Sequence, residues 1–307
     1  MLKAFKEEII HSYKKDFPNN QNDNIIDLIK GIDFEDGDKW NLEFYSSPAS
    51  KEHYRNFLSW LFATFNQNEL EFRKSLIEKL NLKKGQKVLI TGCGFGDDIE
   101  ICKLQVGPDG EIHAQDLSKE MVTEAAKNNA SDNVMFSISN GLNLPYNDQY
   151  FDAVFHFGGI NLFGDIKKAI MEMTRVCKVD GQVVFGDEGV AEHLRKEDYG
   201  KIAINNNSLW SYDPPLEHLP INAFDIELSY VLGNCFYIIS YKVGEGEPYM
   251  NIDLIHKGLR GGSARTRYYG QLEGVSDKAK EKIVRLAKKN NISISELLTN
   301  TILDLKE

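Results

Sequence analysis

Cysteine and proline are scarce in this chain of 307 residues, which has four cysteines and eight prolines. No two cysteines stand in a Cys-x-x-Cys spacing, so the sequence predicts neither disulfides nor a metal site such as zinc. No apolar run approaches the roughly 18 residues that a membrane-spanning helix needs. The first fifteen residues mix lysine with glutamate and contain no apolar signal core. We therefore expect a cytoplasmic protein without a membrane span.

The charge of the chain is unevenly distributed. Hydrophobic residues make up 42 %, which is typical of a globular protein with a sizeable core, and the net charge is −10. Residues 257–307 carry +5, so residues 1–256 carry −15. An acidic body argues against nucleic acid as a substrate of the main domain. This argument does not extend to the basic tail, for which nucleic acid stays a candidate partner.

Three alternating glycines follow an apolar run. Gly92, Gly94 and Gly96 come directly after residues 86–91, and Asp116 closes the next apolar run twenty residues after the last glycine. Glycines let the backbone approach a ligand closely, and an acid at this distance takes the hydroxyls of a ribose. The pattern predicts a site for a nucleotide-type cofactor. A glycine-rich turn without a ligand is the alternative.

Two acids after the glycines indicate which cofactor. A dinucleotide fingerprint needs a third small residue where this chain has Asp97, followed by Asp98. Acids in the first turn satisfy the helix dipole and repel a pyrophosphate. No Lys-Ser/Thr pair follows the glycines, which excludes a phosphate-binding loop of the Walker type. A cationic ligand without phosphates, such as S-adenosylmethionine, fits these residues better.

The chain here resembles the class I S-adenosylmethionine-dependent methyltransferases. Residues 116–121 (Asp-Leu-Ser-Lys-Glu-Met) are similar to the family's ribose-binding acid and the helix beside the adenine. Residues 140–146 (Asn-Gly-Leu-Asn-Leu-Pro-Tyr) are similar to its adenine-binding segment, with asparagine in place of the usual acid. Ile90 stands where the family often has an acid for the methionine ammonium, which leaves that contact to backbone carbonyls or Asp97. The resemblance implies cofactor contacts by Thr91, Gly92, Cys93, Gly94, Gly96, Asp97, Asp116, Leu117, Met121, Asn140, Gly141, Leu142 and Phe157.

Strands alternate with helices through the middle of the chain. Strands are predicted at 86–91, 111–116, 134–138, 151–157 and 181–186, and helices at 97–105, 118–129 and 165–177. This alternation predicts an α/β fold with a Rossmann-like, doubly wound sheet. Residues 224–232 and 235–243 flank Gly233-Asn234 and predict a terminal antiparallel hairpin, which the methyltransferase resemblance also implies. We expect a helical cap or lid over 1–75, the cofactor-binding domain over 76–256, and a small basic extension over 257–307.

The extension is predicted to form a strand followed by two helices. Residues 264–269 are predicted as a strand, 277–289 as a helix, and a second helix starts at Ser293 or Ser295, where Ser295 is a suitable N-cap. This segment weakly resembles ribbon-helix-helix proteins, which pair one strand from each chain and read DNA with that ribbon. On that resemblance Arg265 and Arg267 face bases or phosphates. A helical hairpin that packs or forms a homodimer is the alternative.

Methyl transfer from a sulfonium is an in-line displacement, so the enzyme mainly aligns the reactants and excludes water. A base is needed only when the acceptor arrives protonated. The acceptor site is expected over the carboxyl ends of the fourth and fifth strands, where His156, Asn161 and Asp187 are the candidate catalytic residues. Glu188 is an alternative acid. Each also has a structural interpretation, as a hydrogen-bonded or capping side chain.

Aromatic residues outside these strands are candidates for the acceptor pocket: Tyr45 and His53 in the N-terminal helices, and Trp210, Tyr212 and His218 in a proline-bearing loop. Residues 157–165 are also similar to a segment of quinone-biosynthesis C-methyltransferases, with Ile160 in place of its arginine. The sequence therefore predicts methyl transfer to a small, aromatic or apolar molecule. One alternative is a methyltransferase-fold scaffold or sensor with a DNA-binding or dimerising tail. A nicotinamide oxidoreductase is disfavoured by Asp97 and by the hairpin.

Overall fold

The computed structural model of the chain describes residues 25–29, 50–257, 262–269 and 275–305. The chain divides into two compact units, one up to Glu247 and the other from Pro248. Tyr45 lies outside the described residues. Among the helices that are described, none is both long and apolar enough to cross a bilayer.

The first unit is built on one eight-stranded sheet. Its strands are β1 (Ile25–Asp27), β2 (Lys87–Thr91), β3 (Glu111–Asp116), β4 (Val134–Ile138), β5 (Phe151–Phe157), β6 (Cys177–Glu188), β7 (Ala223–Val231) and β8 (Phe236–Val243). They lie in the order β1-β4-β3-β2-β5-β6-β8-β7. Strand β8 runs antiparallel to both of its neighbours, β6 and β7, and the other described pairs are parallel. The central strands are buried almost along their whole length because helices cover both faces of a parallel sheet.

Helices connect these strands. They are α1 (Ser50–Thr64), α2 (Glu69–Glu78), α3 (Ile99–Val106), α4 (Lys119–Asn129), α5 (Ile166–Val176) and α6 (Asp198–Asn206). Three of them begin at side-chain caps: Asn68, Ser118 and Asp165 each accept a backbone N–H of the first turn. The predicted α/β sheet with a terminal hairpin is therefore confirmed.

The predicted helical cap needs one correction. Ile25–Asp27 form strand β1, which pairs in parallel with β4, whereas a helical segment was expected through residue 75. Ile25 and Ile26 pack against the cores on the two sides of the sheet. Three residues are too few to show a two-residue period, so only their pairing with β4 makes them a strand.

The described part of the second unit contains the helices α7 (Ala264–Tyr269), α8 (Asp277–Asn290) and α9 (Ile294–Leu303). The predicted strand at 264–269 is wrong, because Arg267 donates its N–H to Ser263 in a helical turn and Arg265 pairs with Asp253 at 2.7 Å. These residues thus do not form the ribbon on which DNA reading by Arg265 and Arg267 depended. Ser293, not Ser295, is the N-cap of α9. Dimerisation of the α8–α9 hairpin stays a prediction.

The glycine loop offers a test of local packing. Gly96 has φ +83°, and a Cβ there would lie 2.7 Å from Asn129 Nδ2 and 2.9 Å from Ile99 Cδ1. Gly85 has nearly the same φ of +82° but nothing within 4 Å of its Cβ position. Alanine at either site costs about 1–2 kcal/mol of backbone strain. We expect Gly96→Ala to lose about 1–3 kcal/mol more than Gly85→Ala in urea unfolding, because its methyl group overlaps neighbours. Equal losses in the two variants would contradict the packing.

Candidate functional site

Asp116 is held in place at the carboxyl end of β3 by backbone amides. Its Oδ2 accepts the N–H of Gly94 at 3.0 Å and its Oδ1 accepts the N–H of Ser118 at 2.8 Å. Burial raises the pKa of this carboxyl, and the amide hydrogen bonds work against that rise. Both oxygens are thereby fixed in orientation at the end of the strand.

A cavity of about 120 Å³, here called cavity 1, opens beside Asp116 at the carboxyl ends of β2, β3 and β5. Part of its wall is apolar, from Leu117, Met121, Leu162 and Phe163, while a carboxylate and two amide side chains supply polar contacts. Its lining is Tyr54, Gly92, Gly94, Gln115, Asp116, Leu117, Ser118, Met121, Asn140, Gly141, His156, Phe157, Gly158, Gly159, Leu162 and Phe163.

Cavity 1 collects most of the residues predicted to bind a cofactor. Of the predicted set, eight line it: Gly92, Gly94, Asp116, Leu117, Met121, Asn140, Gly141 and Phe157. Five do not, namely Thr91, Cys93, Gly96, Asp97 and Leu142. The N–H of Leu142, one of the residues predicted to contact the cofactor, is donated to Asn140 Oδ1 at 2.8 Å. Asn140 Oδ1 therefore accepts a hydrogen bond from within its own turn.

The two acids after the glycines are ion-paired, contrary to the expectation that they offer free negative charge. Arg73 contacts Asp98 at 3.0 Å and Asp97 at 3.6 Å, and Arg55 contacts Asp97 at 3.0 Å. Arg73 also binds Glu69. Asp97 is thus held by two arginines, and neither acid lines cavity 1.

His156 lies at the carboxyl end of β5 and is buried. Its Nδ1 lies 2.9 Å from the carbonyl oxygen of Thr91, and because a carbonyl only accepts, Nδ1 carries the hydrogen. Its Nε2 is buried without a hydrogen-bond partner in the described chain. Burial lowers the pKa of His156 to about 4. The side chain is therefore a neutral imidazole at physiological pH.

A second cavity of about 340 Å³, here called cavity 2, adjoins the first. Five residues line both: Tyr54, Phe157, Gly158, Gly159 and Leu162. The other lining residues of cavity 2 are His53, Phe57, Leu58, Leu61, Arg73, Asn161, Asp187, Glu188, Asn207, Leu209 and Phe236. Its volume falls within the range of small-molecule sites.

Two of the predicted catalytic residues, Asn161 and Asp187, line cavity 2 but are engaged in hydrogen bonds. Asp187 accepts the backbone N–H groups of Gly159, Asn161 and Glu188 at 2.7–3.0 Å. The side chain of Asn161 donates to the Glu188 carbonyl oxygen and accepts from Tyr237 Oη. Burial raises the pKa of Asp187 to about 6 despite these amides. Both residues fix the loop between β5 and α5.

Glu188 differs from its neighbour because its carboxylate has little support. It is only 8 % exposed and accepts one long hydrogen bond, 3.3 Å, from Asn207 Nδ2. Burial and the adjacent Asp187 raise the pKa of Glu188 to about 8, and Trp210 and Asn207 offset part of that rise. Its titration therefore falls near physiological pH.

The structure separates the remaining predicted acceptor residues. His53 on α1 lines cavity 2, whereas Trp210, Tyr212 and His218 line neither cavity. Trp210 is instead buried among Trp60, Phe65 and Phe236. Several lining residues were not predicted as site residues. Among them are Tyr54, whose helical spacing indicated a core position, and Arg73, for which no local pattern gives a signal.

Residues 82–218 match the family described as methyltransferase domain. Two curated proteins named demethylmenaquinone methyltransferase are similar to part of the chain. One, from Geobacillus sp. (strain WCH70), is 32 % identical over 121 residues, which is 38 % of this chain and 52 % of that protein. The other, from Staphylococcus aureus (strain JH9), is 34 % identical over 122 residues, covering 39 % and 50 %. The chain thus spans about half the length of the curated relatives it matches.

A solved structure shares the fold. Phosphoethanolamine N-methyltransferase 2 of Haemonchus contortus, in complex with S-adenosyl-L-methionine, superposes with a TM-score of 0.53 at 14 % identity. The superposition covers 70 % of this chain and 61 % of that one. At this identity the likeness concerns the fold alone.

The buried ion pair of Arg73 gives a second test. Arg73→Met leaves Asp98 as a buried charge without its partner, so we expect a loss of about 3 kcal/mol in the free energy of unfolding. Adding Asp98→Asn should restore part of that loss because the unpaired charge is gone. Arg55→Met removes a pair at the surface and should cost less than about 1 kcal/mol. Equal losses for the two arginines in urea unfolding would contradict this assignment.

Glu188 should make stability depend on pH. Its pKa rises from an ordinary 4.5 to about 8 on folding, so between these values the folded state holds more protons than the unfolded state. The stability of the wild type should therefore fall as pH rises through this window. We expect the free energy of unfolding of Glu188→Gln, measured in urea, to exceed that of the wild type by about 2 kcal/mol between about pH 5 and pH 8.5. Glu192→Gln, an exposed acid outside both cavities, should leave the pH dependence unchanged.

Proposed function

We propose that this chain, whose residues 82–218 form a methyltransferase domain, transfers a methyl group from S-adenosylmethionine to a small molecule with an aromatic or apolar body. The observation that carries the proposal is the pair of adjoining cavities at the carboxyl ends of the parallel strands. One suits a nucleoside-like cofactor and the other suits a small acceptor, and they meet at five shared residues.

Cavity 1 fits the cofactor by the chemistry of its lining. The carboxylate of Asp116, oriented by backbone amides on the wall of cavity 1, would accept hydroxyl groups of a ribose. Leu117 and Met121 give an apolar face for the adenine, and Asn140 lines the same cavity as a polar side chain. The bare backbone at Gly94, where a Cβ would find only Tyr54 Oη at 3.8 Å, leaves room for the ligand. When bound, S-adenosylmethionine supplies an electrophilic methyl group on a positively charged sulfur.

The walls shared by the two cavities would position the reactants. Tyr54 and Phe157 supply aromatic surface, and Gly158 and Gly159 place backbone without side chains between the cofactor side and the acceptor side. Alignment and the exclusion of water are the main contributions that an enzyme makes to a displacement of this kind.

Aromatic and apolar side chains favour an aromatic or apolar acceptor. Phe57, Leu58, Leu61 and Phe236 line cavity 2 beside the shared wall. The name of the curated relatives, demethylmenaquinone methyltransferase, is compatible with an aromatic acceptor. We also propose a cytoplasmic location, which the four free, buried cysteines support.

Asp116 provides the test of this function. Asp116→Ala removes the acceptor for the ribose hydroxyls and the partner of Gly94, so we expect no detectable binding of S-adenosylmethionine by calorimetry. Asp109→Ala, an exposed acid outside cavity 1, should bind like the wild type. Thermal unfolding of each variant checks that it is folded. Wild-type affinity in folded Asp116→Ala would refute the ribose assignment, and no binding by the wild type would refute the proposed function.

A further inference from the structure

The wall of cavity 1 contains a buried hydrogen-bond acceptor without a partner. His156 lines the cavity and is 1 % exposed, and its Nε2 receives no hydrogen bond from any residue that the structure describes. Four other side chains of the lining already accept hydrogen bonds, those of Gln115, Asp116, Ser118 and Asn140. A buried polar atom without a partner destabilises a protein, so Nε2 points to a donor that comes from a ligand.

The tautomer of His156 makes Nε2 an acceptor. Its Nδ1 lies 2.9 Å from the carbonyl oxygen of Thr91, and a carbonyl can only accept. The hydroxyl of Thr91 lies 3.1 Å from the same nitrogen and donates to Sδ of Met173 at 3.8 Å. Both contacts leave the ring hydrogen on Nδ1. Nε2 therefore carries no hydrogen, and it can bind only a ligand group that donates one.

The ring of His156 is fixed against the glycine loop. A Cβ at Gly92 would lie 3.0 Å from Cε1 of His156, and Nε2 is bonded to that carbon. Phe163, which also lines cavity 1, packs edge-on against the ring, with the two ring centroids 5.3 Å apart. Together with the hydrogen bond of Nδ1, this packing prevents the ring from turning to place Nε2 beside another donor of the chain.

Strand order determines which part of a bound cofactor comes near His156. Asp116 closes β3, His156 lies near the end of β5, and β2 runs between these two strands. Neighbouring strands lie about 4.8 Å apart, so the two side chains start roughly 10 Å apart along the edge of the sheet. In S-adenosylmethionine the ribose is joined through the sulfur to an amino-acid chain. With the ribose at Asp116, the amino-acid end would therefore extend toward β5.

The amino-acid end of the cofactor carries a group that can only donate hydrogen bonds. This ammonium group is mostly charged at physiological pH. Ile90 gives it no partner at the position where the resembled family often has an acid, and neither Asp97 nor Asp98 lines cavity 1. We propose that His156 binds the ammonium group of S-adenosylmethionine through Nε2. This inference rests on the proposed function.

A neutral imidazole suits this contact. Burial lowers the pKa of His156 to about 4, so the ring stays uncharged and does not repel the ammonium. Asp116 is the one acid among the residues that line cavity 1. An uncharged acceptor at His156 therefore binds the charged end of the cofactor without a second buried carboxylate on the same wall, which would require a charged partner of its own.

The test is calorimetry on the full chain with two ligands: S-adenosylhomocysteine, which keeps the amino-acid end, and 5′-methylthioadenosine, which lacks it. His156→Asn keeps an amide near the carbonyl of Thr91 but removes Nε2. We expect this variant to bind S-adenosylhomocysteine about tenfold to hundredfold more weakly, as for the loss of a hydrogen bond to a charged group. Its affinity for 5′-methylthioadenosine should stay within about threefold of the wild type.

Two further variants accompany this comparison. His156→Gln has a longer side chain that can place its amide oxygen near the position of Nε2, so it should recover part of the lost affinity. His193→Asn changes an exposed histidine that lines neither cavity, and it should bind both ligands like the wild type. Thermal unfolding checks that each variant is folded.

Analogues of S-adenosylhomocysteine identify the group that His156 binds. An analogue without the amino group should bind equally to the wild type and to His156→Asn. An analogue without the carboxylate should lose as much affinity in His156→Asn as S-adenosylhomocysteine does. In the wild type, the nitrogen-15 signal of Nε2 should move upfield when S-adenosylhomocysteine binds but not when 5′-methylthioadenosine binds. This spectrum tests the contact even where a variant is unstable.

Three results would overturn the proposal: wild-type affinity of His156→Asn for S-adenosylhomocysteine, an equal loss for both ligands, or a loss that persists with the analogue lacking the amino group. An Nε2 signal that S-adenosylhomocysteine leaves unmoved would overturn it as well. In these cases the wild type still binds the nucleosides, and the proposed function stands. A wild type that binds neither nucleoside would overturn the proposed function and this inference together.

Discussion

A buried arginine is the constraint on which the geometry of both cavities depends. Arg73 lies on α2 and binds Asp98 at the start of α3, so it joins that helix to the end of the glycine loop. Arg55 on α1 holds the preceding Asp97, and Lys51 on the same helix pairs with Glu124 on α4. These pairs fix α1 over the loop. Since α1 carries Tyr54, they also fix one of the five residues that line both cavities.

The same arrangement explains why the acids after the glycines are not the ligand contacts that their position suggests. A charge in a half-buried rim must be paired or hydrogen-bonded, because water does not solvate it fully. Asp97 and Asp98 form ion pairs with arginines, whereas Asp116 accepts hydrogen bonds from backbone amides. Only in the last case does the pairing leave the carboxylate on the wall of a cavity, and this separates a ligand-facing acid from two architectural ones.

A comparable division occurs at the end of β6. Asp187 is buried but accepts several N–H groups, so its burial is largely compensated, whereas Glu188 has one long hydrogen bond. Two adjacent acids with such different support do not share a role. The supported acid holds the loop that contributes Gly159 and Asn161, and the unsupported acid faces the cavity that this loop encloses.

The parts of the molecule that have short-range sequence patterns could be predicted from the sequence. The glycines, Asp116, and the strands and helices of the α/β domain have short-range signals, and the structure places them as expected. The ion pair of Asp98 joins it to a residue 25 positions away, and no spacing rule relates the two. Strand β1 and helix α7 were not predicted for the same reason. Strand β1 depends on its pairing with β4, and helix α7 is accompanied by the contact between Arg265 and Asp253.

Similarity to other proteins gives little information about the acceptor, because part of the wall of cavity 2 lies outside the matched segment. The matched segment begins at residue 82, after Tyr54, Phe57 and Arg73, so the wall of cavity 2 that α1 and α2 supply lies outside it. Cavity 1, by contrast, is lined mainly by residues within the matched segment. Similarity therefore bears chiefly on the cofactor half of the site. On the proposed function, the choice of acceptor would depend on the aromatic and charged side chains that α1 and α2 contribute to cavity 2.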